Sequence, residues 1–475
     1  MFTYQDFEKT PDRAIGIAMA IQQHMKSKDY LTAVAADLYD RQLNPTVNRV
    51  SAIYAGEANT DTGLKIASNH FNRLNTQRCA YLLGNGVSFT QKEMRANDMG
   101  EPVMVDVIKE RLGQKFDTAL FQWGYYALIH GKAFGFWDKD ALRVFKLTEF
   151  APLWDENTGA LMAGVRFWRI DPKKPLQVEV YEADGVTEYR SREGTTGYDL
   201  VEIKEKRSYI TVTEKTEATG VVSVSGRNYG VLPIVPMYDS ALKQSTLVGI
   251  RQRIDSIDLV QSGYASDMRD VTKIYWLIQN CNGMTKEDQR KFLDDIRDNH
   301  IAAVDTASMG GDARGALTPY VNDVPFQGNE AYLASARAAL YEDFGALDVH
   351  TISAGATNDH IDAAYQPLDE EADKFETQVI EAVQGILALI GIEDTPQFKR
   401  NRVSNVKEMV DSVMEMANYL DEEAVLDLIP FVTVDMKQAI LNRRDRDNAG
   451  RLRLSDNPQT FARTEGDAQG EAGAV

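Results

Sequence analysis

The sequence predicts an α+β fold in which helices flank a long stretch of antiparallel β-structure. Three observations lead to this prediction. Apolar residues recur every three or four positions through most of residues 11–130, the period changes to two within 131–237, and the helical period returns from residue 250 onward. At 475 residues, the chain is long enough for roughly two to four folding units.

Composition and charge narrow the classes of function. The chain carries a net charge of −19, which argues against a surface that grips DNA, because duplex affinity comes mainly from Lys and Arg on phosphates. No apolar run reaches the length of a membrane span, and the N-terminus lacks a signal-peptide pattern, so we expect synthesis in the cytosol and no membrane association. Cys79 and Cys281 are far apart and are predicted to be buried thiols.

The N-terminal third is predicted to be helical. Residues 11–43 indicate one or two helices, with Pro11 in a first turn. The pattern from Leu64 to Tyr81 predicts an amphipathic helix that ends at Gly84, and residues 103–130 predict another long helix. The apolar surface of the first segment is assigned to Ile15, Ile17, Met19 and Ile21.

The middle of the chain predicts successive β-hairpins. Their turns are placed at Lys139-Asp140, at Asn157-Thr158-Gly159 and at Ala183-Asp184-Gly185. Further strands are expected at 209–213 and 221–224, and the β region ends in "LPIVPM".

Long helices dominate the rest of the chain. Apolar positions from Ile250 to Ile278, Tyr275 included, predict one helix of some thirty residues, and a second is expected at 330–344. Residues 361–391 form the strongest helical pattern, with Pro367 expected in a first turn. Seven Asp and Glu lie between 361 and 381 against one Lys, so this helix is acidic on one side. Shorter helices are expected at 402–420, 422–429 and 434–447, and a disordered tail from 451.

Two glycine-containing stretches resemble phosphate-binding loops, but neither has the flanking secondary structure and spacing that such a loop needs. Gly84-Asn85-Gly86 follows a helix and precedes a strand, the reverse of the order that a nucleotide loop needs, and predicts a helix end and a turn. In "GYYALIHGKAF" the glycines are too far apart, and Ala133 replaces the Ser or Thr that would hold magnesium. We therefore read Gly131 as a helix end.

Nothing in the sequence argues for catalysis or a metal. The six histidines lack metal-ligand spacing, although His350 and His360 flank one loop. No nucleophile motif occurs, and the sequence predicts no catalytic residue, no metal and no cofactor. Five arginines gather in 442–453; a mixed-charge helix end followed by a solvated tail and a nucleic-acid or partner contact both remain open.

The order of elements resembles the portal proteins of tailed bacteriophages, of the long non-contractile-tailed type. A helix running into Tyr81-Leu82-Leu83-Gly84 and a short strand carries part of the resemblance. "LPIVPMYDS" followed by a helix with Ile254-Asp255 and Ser266-Asp267 carries a second part. The third is the series after "NGMTKEDQRKFLDDIRDNHIAAVD": a β-containing region, a short helix, a loop and a long acidic helix.

The resemblance covers about residues 60–390 and rests on the collinear series of motifs. One departure is clear: family members carry a Ser-Gly-Val-Ala-Leu-like element before the last long helix, where this chain has "SAGATNDHIDAAYQPLD". Ser353, Gly355 and Ala356 stand at its place.

What the resemblance implies is a dodecameric ring at one capsid vertex, around a tunnel for double-stranded DNA. Partners would be terminase, a head-tail adaptor, and capsid and scaffolding proteins, with assembly in the host cytoplasm and a final place in the virion. The implied regions are an α/β wing, an α-helical stem, a small α/β clip, a tunnel loop, a long helix, an α-helical crown and a tail, at 1–240, 241–281 with 328–344, 282–327, 345–360, 361–391, 392–450 and 451–475.

Three sets of residues follow as candidates. The DNA-facing loop residues would be His350, Thr351, Ser353, Asn358 and His360. The channel-lining acids, which would repel phosphates and let a duplex pass, would be Asp362, Asp369, Asp373 and Glu376. The stem would pack through Ile250, Ile254, Ile257, Tyr264, Met268 and Val271.

Two readings from other classes compete with this one. A metal-dependent phosphate-processing enzyme would need carboxylates converging from separate elements, and nuclease or ATPase activity in the purified chain would favour it. A monomeric α+β binding module would show no ring on sedimentation or by negative stain.

Overall fold

The computed structural model describes most of the chain up to residue 402. The described ranges are 2–47, 64–96, 102–192, 198–215, 222–271, 275–278, 317–320, 326–349 and 357–402, with single positions at 285, 287, 290, 291, 413–415, 425, 440 and 443. The chain divides into a large unit, Met1–Asp348 with Gln366–Asn401, and a small unit, Val349–Tyr365 with Arg402–Val475. Described helices and strands confirm the α+β class.

Three helices open the chain: α1 (Tyr4–Lys9), α2 (Arg13–Lys26) and α3 (Lys28–Asp40). The Asp12 carboxylate accepts hydrogen bonds from the backbone at the start of α2, so Asp12 is the N-cap. Pro11 therefore precedes the cap, and its predicted place in the first turn is wrong. The predicted apolar face is split, since Ile17 and Ile21 are buried while Ile15 and Met19 are exposed.

The next helix ends as the sequence predicts. Helix α4 (His70–Leu83) has Gly84 as its C-cap, and strand β1 (Val87–Ser88) follows. Gly86 adopts a φ of 73°, a left-handed value that glycine takes without strain. Strand β1 pairs antiparallel with β16 (Gln397–Phe398), which brings residue 398 beside residue 87.

The single long helix predicted for residues 103–130 is wrong. The structure has strands β2 (Lys92–Ala96) and β3 (Pro102–Asp106), then helices α5 (Val107–Leu112) and α6 (Phe116–His130). Asp106 caps α5 by accepting the backbone N–H of Lys109, and Gly113 (φ 86°) separates the two helices. The N-cap at Asp106 and the glycine at 113 therefore determine where the helices begin and end, although apolar residues recur at helical spacing through the segment.

The predicted β-hairpins are confirmed. A three-stranded sheet has the order β13-β4-β5, a five-stranded sheet the order β10-β9-β8-β7-β6, and β11 pairs with β12, all antiparallel. The strands are β4 (Lys132–Asp138), β5 (Ala141–Lys146), β6 (Phe150–Trp154), β7 (Leu161–Trp168), β8 (Gln177–Glu182), β9 (Gly185–Ser191), β10 (Leu200–Arg207), β11 (Ile210–Lys215), β12 (Val222–Arg227) and β13 (Ile234–Tyr238). Sequence reasoning missed β10, whose side chains are exposed from residue 201 onward.

Buried side chains form several cores in the large unit. Helices α1 and α2 pack on the five-stranded sheet, and an aromatic cluster that includes Phe134, Phe145 and Phe150 fills the space next to it. A third core joins α4, α6 and β4 to the last long helix, through residues that include Trp123 and Phe375. These cores fix the elements that carry the site.

Three long helices complete the described fold: α7 (Leu247–Val271), α8 (Phe326–Phe344) and α9 (Asn358–Leu389). The prediction that α7 continues to residue 278 is wrong, because Tyr275 and Ile278 lie in β14 (Tyr275–Ile278), which pairs with β15 (Leu317–Tyr320). Helix α9 begins three residues before its predicted start and contains Pro367 in its interior. The expectation of a first-turn Pro367 is therefore wrong.

The predicted stem-packing residues behave differently along α7. Ile250, Ile254 and Ile257 are buried against a group that includes Leu340, Tyr341 and Phe344 of α8. Tyr264 makes an edge-to-face contact with Phe326, with ring centroids 5.9 Å apart. Met268 is 46% exposed, and the side chain of Val271 lies outside the described residues.

Several sequence predictions fall on residues that the structure does not describe. These are the loop residues His350, Thr351 and Ser353, most of the clip at 282–327, nearly all of 403–450 with the arginine-rich segment, and the tail from 451. Asn358 and His360 are described and lie in the first turn of α9, not in a loop.

Candidate functional site

The acidic side of α9 is the most distinctive charged surface in the described part of the chain. Asp369, Asp373 and Glu376 are four and three residues apart, a spacing that places their side chains on one helical face. All three carboxylates bind one cation, the guanidinium of Arg400. Arg400 follows β16, and the pairing of β16 with β1 brings it to α9.

Arg400 spreads its hydrogen bonds over the three acids. Its Nη1 donates to Asp369 Oδ1 at 2.8 Å, and its Nη2 donates to Glu376 Oε2 at 2.9 Å and to Asp373. Partial burial lowers the pKa of Arg400, but the hydrogen bonds to Asp373, Glu376 and Asp369 outweigh it and raise the pKa above its usual value. Three carboxylates facing one guanidinium leave this face with an excess of negative charge.

The fourth predicted acid is paired separately. In the small unit, Arg402 Nη1 donates to Asp362 Oδ1 at 3.1 Å, and its guanidinium lies over the ring of Tyr365. The structure therefore brings Asp369, Asp373 and Glu376 together and leaves Asp362 with a different partner. The sequence analysis did not identify Arg400 or Arg402 as partners of these acids, because neither arginine lies on α9. The available signal in the sequence was two arginines just after a short strand.

A second arginine binds the same helix from the inside. Arg78 of α4 is buried, donates a hydrogen bond to the carbonyl of Phe344, and has its guanidinium carbon 4.2 Å from the centroid of the Phe344 ring. Its Nη1 is 3.2 Å from Glu371 Oε2. Burial lowers the pKa of Arg78, and the charges of Glu371 and Asp239 oppose that effect.

Tyr81, one turn after Arg78, binds both α9 and the chain near Arg400. Its hydroxyl donates to Asp369 Oδ1 at 2.6 Å, and its carbonyl accepts the N–H of Asn401 at 3.0 Å. Asp369 thus accepts from a neutral hydroxyl and from a cation. The motif at 81–84 that carried the resemblance therefore lies against the acidic helix.

Helix α7, predicted to be part of the stem, has a row of polar side chains along one face. Asp258, Ser262 and Ser266 are four residues apart and accept the backbone N–H groups of Ser68, Ile66 and Leu64, at 2.9, 3.0 and 3.0 Å. Burial raises the pKa of the Asp258 carboxyl. The row ties an extended segment to α7, and the Ser266 singled out in the sequence is part of it.

The described residues offer few other candidates for a metal, catalytic or ligand-binding site. No group of three or more His, Cys, Asp and Glu is placed to hold a metal ion there, and no helix within those ranges is long and apolar enough to cross a bilayer. Cys79 is buried, as predicted, and burial raises the pKa of its thiol; Cys281 lies outside the described residues. Gly124 lies inside α6 and Gly131 at its end, so 124–134 is no phosphate loop.

Comparison with known proteins identifies the family. Residues 40–450 match the family described as "Phage portal protein, SPP1 Gp6-like". The chain belongs to this family of phage portal proteins, which confirms the resemblance seen in the sequence.

Two curated relatives are both named portal protein. The one from Clostridium phage phiCD119 is 24% identical over 220 residues, which is 44% of this chain and 48% of that protein. The one from Bacillus phage SPP1 is 21% identical over 382 residues, 75% of this chain and 71% of that protein. The first match thus spans about half of the relative's length.

Solved structures of gene transfer agent particles are also similar. A chain of a neck described as computed with C12 symmetry matches with a TM-score of 0.37 at 12% identity, over 75% of this chain and 88% of that one. A chain of a virion matches with a TM-score of 0.38 at 9% identity, over 90% and 99%.

Proposed function

We propose that this protein forms a ring at one capsid vertex and serves as a conduit for double-stranded DNA during packaging and ejection. The observation that carries the proposal is the family match over residues 40–450. The ring would dock terminase during packaging and a head-tail adaptor afterwards, contact capsid and scaffolding proteins, and remain in the virion. In this proposal the chain performs no catalysis.

The charge of α9 supports a conduit. Arg400 compensates part of the repulsion among Asp369, Asp373 and Glu376, so the helix tolerates three acids in two turns, and a negative excess remains. A ring of such faces repels the phosphates of a passing duplex and gives it no cationic surface to bind. The loop side chains His350, Thr351 and Ser353 would reach the duplex, with Asn358 and His360 at the start of α9.

Exposed apolar side chains on α7 and α8, among the described residues, support a ring. Leu259 and Met268 of α7 are 44% and 46% exposed, and Phe326 and Tyr332 of α8 are 40% and 46% exposed. Apolar surface of this kind, at one end of a helix pair, is typical of protein interfaces. In a closed ring, the same surface of each copy would pack on the next.

Sedimentation and negative-stain imaging of the purified chain test the proposal. We expect a ring with a central hole, and we expect Met268→Asp with Leu259→Asp to reduce the ring fraction at least tenfold. Ile170→Asp with Val231→Asp, at exposed apolar positions outside α7 and α8, is the matched control. A monomer under all conditions, also with assembly partners, would contradict the proposal.

A further inference from the structure

A short extended segment lies along helix α7, and we call its residues 64–68 the strap. Its alternate residues donate backbone N–H groups to Asp258, Ser262 and Ser266 of α7. Two extended residues advance about 6.6 Å and four helical residues about 6 Å, so every second strap residue meets a side chain one turn further along. The strap therefore runs antiparallel to α7 and follows its axis.

The strap lies on the side of α7 that faces away from α8. Tyr264 contacts Phe326 of α8, with ring centroids 5.9 Å apart. Ser262 and Ser266, which hold the strap, stand two residues before and two residues after Tyr264. Because two residues turn a helix by about 200°, both serines point away from the contact with α8.

The strap and α7 together present an apolar face on that side. Leu64, Ile66 and Leu259 are all exposed. Leu259 precedes Ser262 by three residues, and residues three apart are neighbours on a helix surface, so Leu259 adjoins the strap. Lys65, also exposed, adds a cation. We call Leu64, Lys65, Ile66 and Leu259 the strap face.

Helix α8 presents a different face on the opposite side of the helix pair. Leu340 is buried in the core that α7 and α8 share, and Ala338 and Glu342 stand two residues before and after it. Both therefore point away from that core. Ala331 and Ser335 are exposed and continue this side of the helix at the same spacing. We call Ala331, Ser335 and Ala338 the small-residue face.

We propose that the strap face of one copy packs on the small-residue face of the next copy in the ring. The two faces differ and lie on opposite sides of the same helix pair, which is the arrangement that a head-to-tail contact needs in order to repeat around a ring. Small side chains on α8 leave room for the larger apolar side chains of the strap face. The inference deepens the proposed function and rests on it for ring closure.

The charges on the two sides are complementary. The strap face carries Lys65, whereas Glu330 and Glu342 flank the small-residue face, and all three side chains are exposed. Opposite charges favour contact between the two different faces, and contact of one strap face with another would bring two lysines together.

The two faces also lie at the same level along the helix pair. Phe326, the first residue of α8, contacts Tyr264, which stands between the strap-binding Ser262 and Ser266. Ala331 lies five residues further along α8, and α8 runs antiparallel to α7. Ala331 is therefore level with the stretch of α7 that the strap covers.

Cross-linking between copies tests the pairing. Ile66→Cys with Ala331→Cys, in a Cys281→Ser background, puts one thiol on each face, and Cys79 is buried. A short bismaleimide should join each copy to the next and give a ladder of bands that rises by one subunit. We expect at least tenfold more product than from Ile170→Cys with Ala331→Cys, the matched control with one thiol outside α7 and α8.

Single-cysteine variants give the direction of the contact. Ile66→Cys mixed with Ala331→Cys should give dimers and nothing larger, and each variant alone should give no product. A product from Ile66→Cys alone would show that strap faces meet each other, and would overturn the head-to-tail pairing.

Bulky side chains on α8 give an independent readout. Ala331→Trp with Ala338→Trp should lower the fraction of rings in sedimentation at least fivefold. Ala388→Trp, at an exposed alanine of helix α9, is the matched control. An unchanged fraction of rings in the double variant would overturn the inference.

The cross-linking result separates this inference from the proposed function. Rings without a ladder above the control would overturn the pairing and leave the proposed function standing. A ladder without closed rings would support the pairing and contradict the proposed function. Absence of both rings and ladder would contradict both.

Discussion

Two arginines bind the same acidic helix in opposite ways. Arg78 is buried, with its side chain 8% exposed, and serves one carboxylate and one carbonyl. Arg400 is 24% exposed and serves three carboxylates, of which Asp373 is 65% exposed. A buried pair is costly to break because the partner left behind is poorly solvated, whereas water and salt compensate much of a partly exposed cluster. Arg78, the inner arginine, therefore stabilises the packing around α9, whereas Arg400, the outer arginine, offsets part of the negative charge of α9.

The largest effect is expected at the inner arginine. Arg78→Met removes the cation and leaves the Phe344 carbonyl and Glu371 without this partner, so the free energy of unfolding should fall by about 3 kcal/mol. Urea unfolding at neutral pH, with Arg166→Met as control, measures this change. A loss no greater than that of Arg400→Met would break the comparison between the two arginines.

A pH effect near the inner arginine should be next in size. Burial raises the pKa of Asp239 to about 6, although hydrogen bonds from Ser240 oppose the shift. Because its folded pKa lies above its unfolded value of about 4, the folded state binds more protons between these values. Stability should therefore fall by about 2 to 3 kcal/mol as the pH rises from 4 to above 6.

Unfolding curves of the wild type and Asp239→Asn between pH 4 and 7 isolate this contribution. The difference between the two proteins should change with pH only in that window. A difference that stays constant with pH would show that Asp239 does not titrate in this range. It would then count against a buried Asp239 whose charge acts on Arg78.

A smaller and salt-dependent effect is expected at the outer arginine. Arg400→Met leaves Asp369, Asp373 and Glu376 to repel one another, so the free energy of unfolding should fall by about 2 kcal/mol at low ionic strength. At about 1 M salt, screening should reduce the loss severalfold. The matching series for Arg78→Met should depend less on salt, and equal salt dependence would contradict the contrast between the buried and the exposed site.

The smallest effect is expected where the two sites meet. Tyr81→Phe removes the hydroxyl that donates to Asp369, while Arg400 still binds that carboxylate, so the loss should be about 1 kcal/mol. A double-mutant cycle with Arg400→Met measures their coupling. Zero coupling would mean that Asp369 does not connect the inner and outer sites.

Sequence reasoning located the acidic helix but not the cations that bind it. The period of apolar residues and the run of acids are local features, and they predicted both the helix and its charged side. Arg400 and Arg78 lie far along the chain from Asp373 and Glu371, and nothing in the spacing of either arginine indicates its partner. Pro367 misled the prediction because propensity disfavours an interior proline, while packing of the long apolar stripe in the core keeps the helix continuous.

Helix α7 shows a similar limit of sequence-based prediction. Apolar spacing correctly predicted that Ile250, Ile254 and Ile257 are buried, yet the same spacing continued into a strand at Tyr275 and Ile278. Pairing with residues 317–320 makes residues 275–278 a strand. The partner strand lies about forty residues away, so the spacing of apolar residues within 275–278 does not indicate it.

By itself, the sequence determined the α+β class, the hairpin turns, the long helices and the order of elements that resembles portal proteins, because each depends on neighbouring residues or on simple succession. Only the tertiary structure decided which arginine meets which carboxylate, that one buried guanidinium contacts both Phe344 and Glu371, and how much negative charge the acidic helix keeps. Those outcomes depend on strand pairing and helix packing between distant segments, and the energy of a charge depends on its burial and its partners, which the folded chain alone sets.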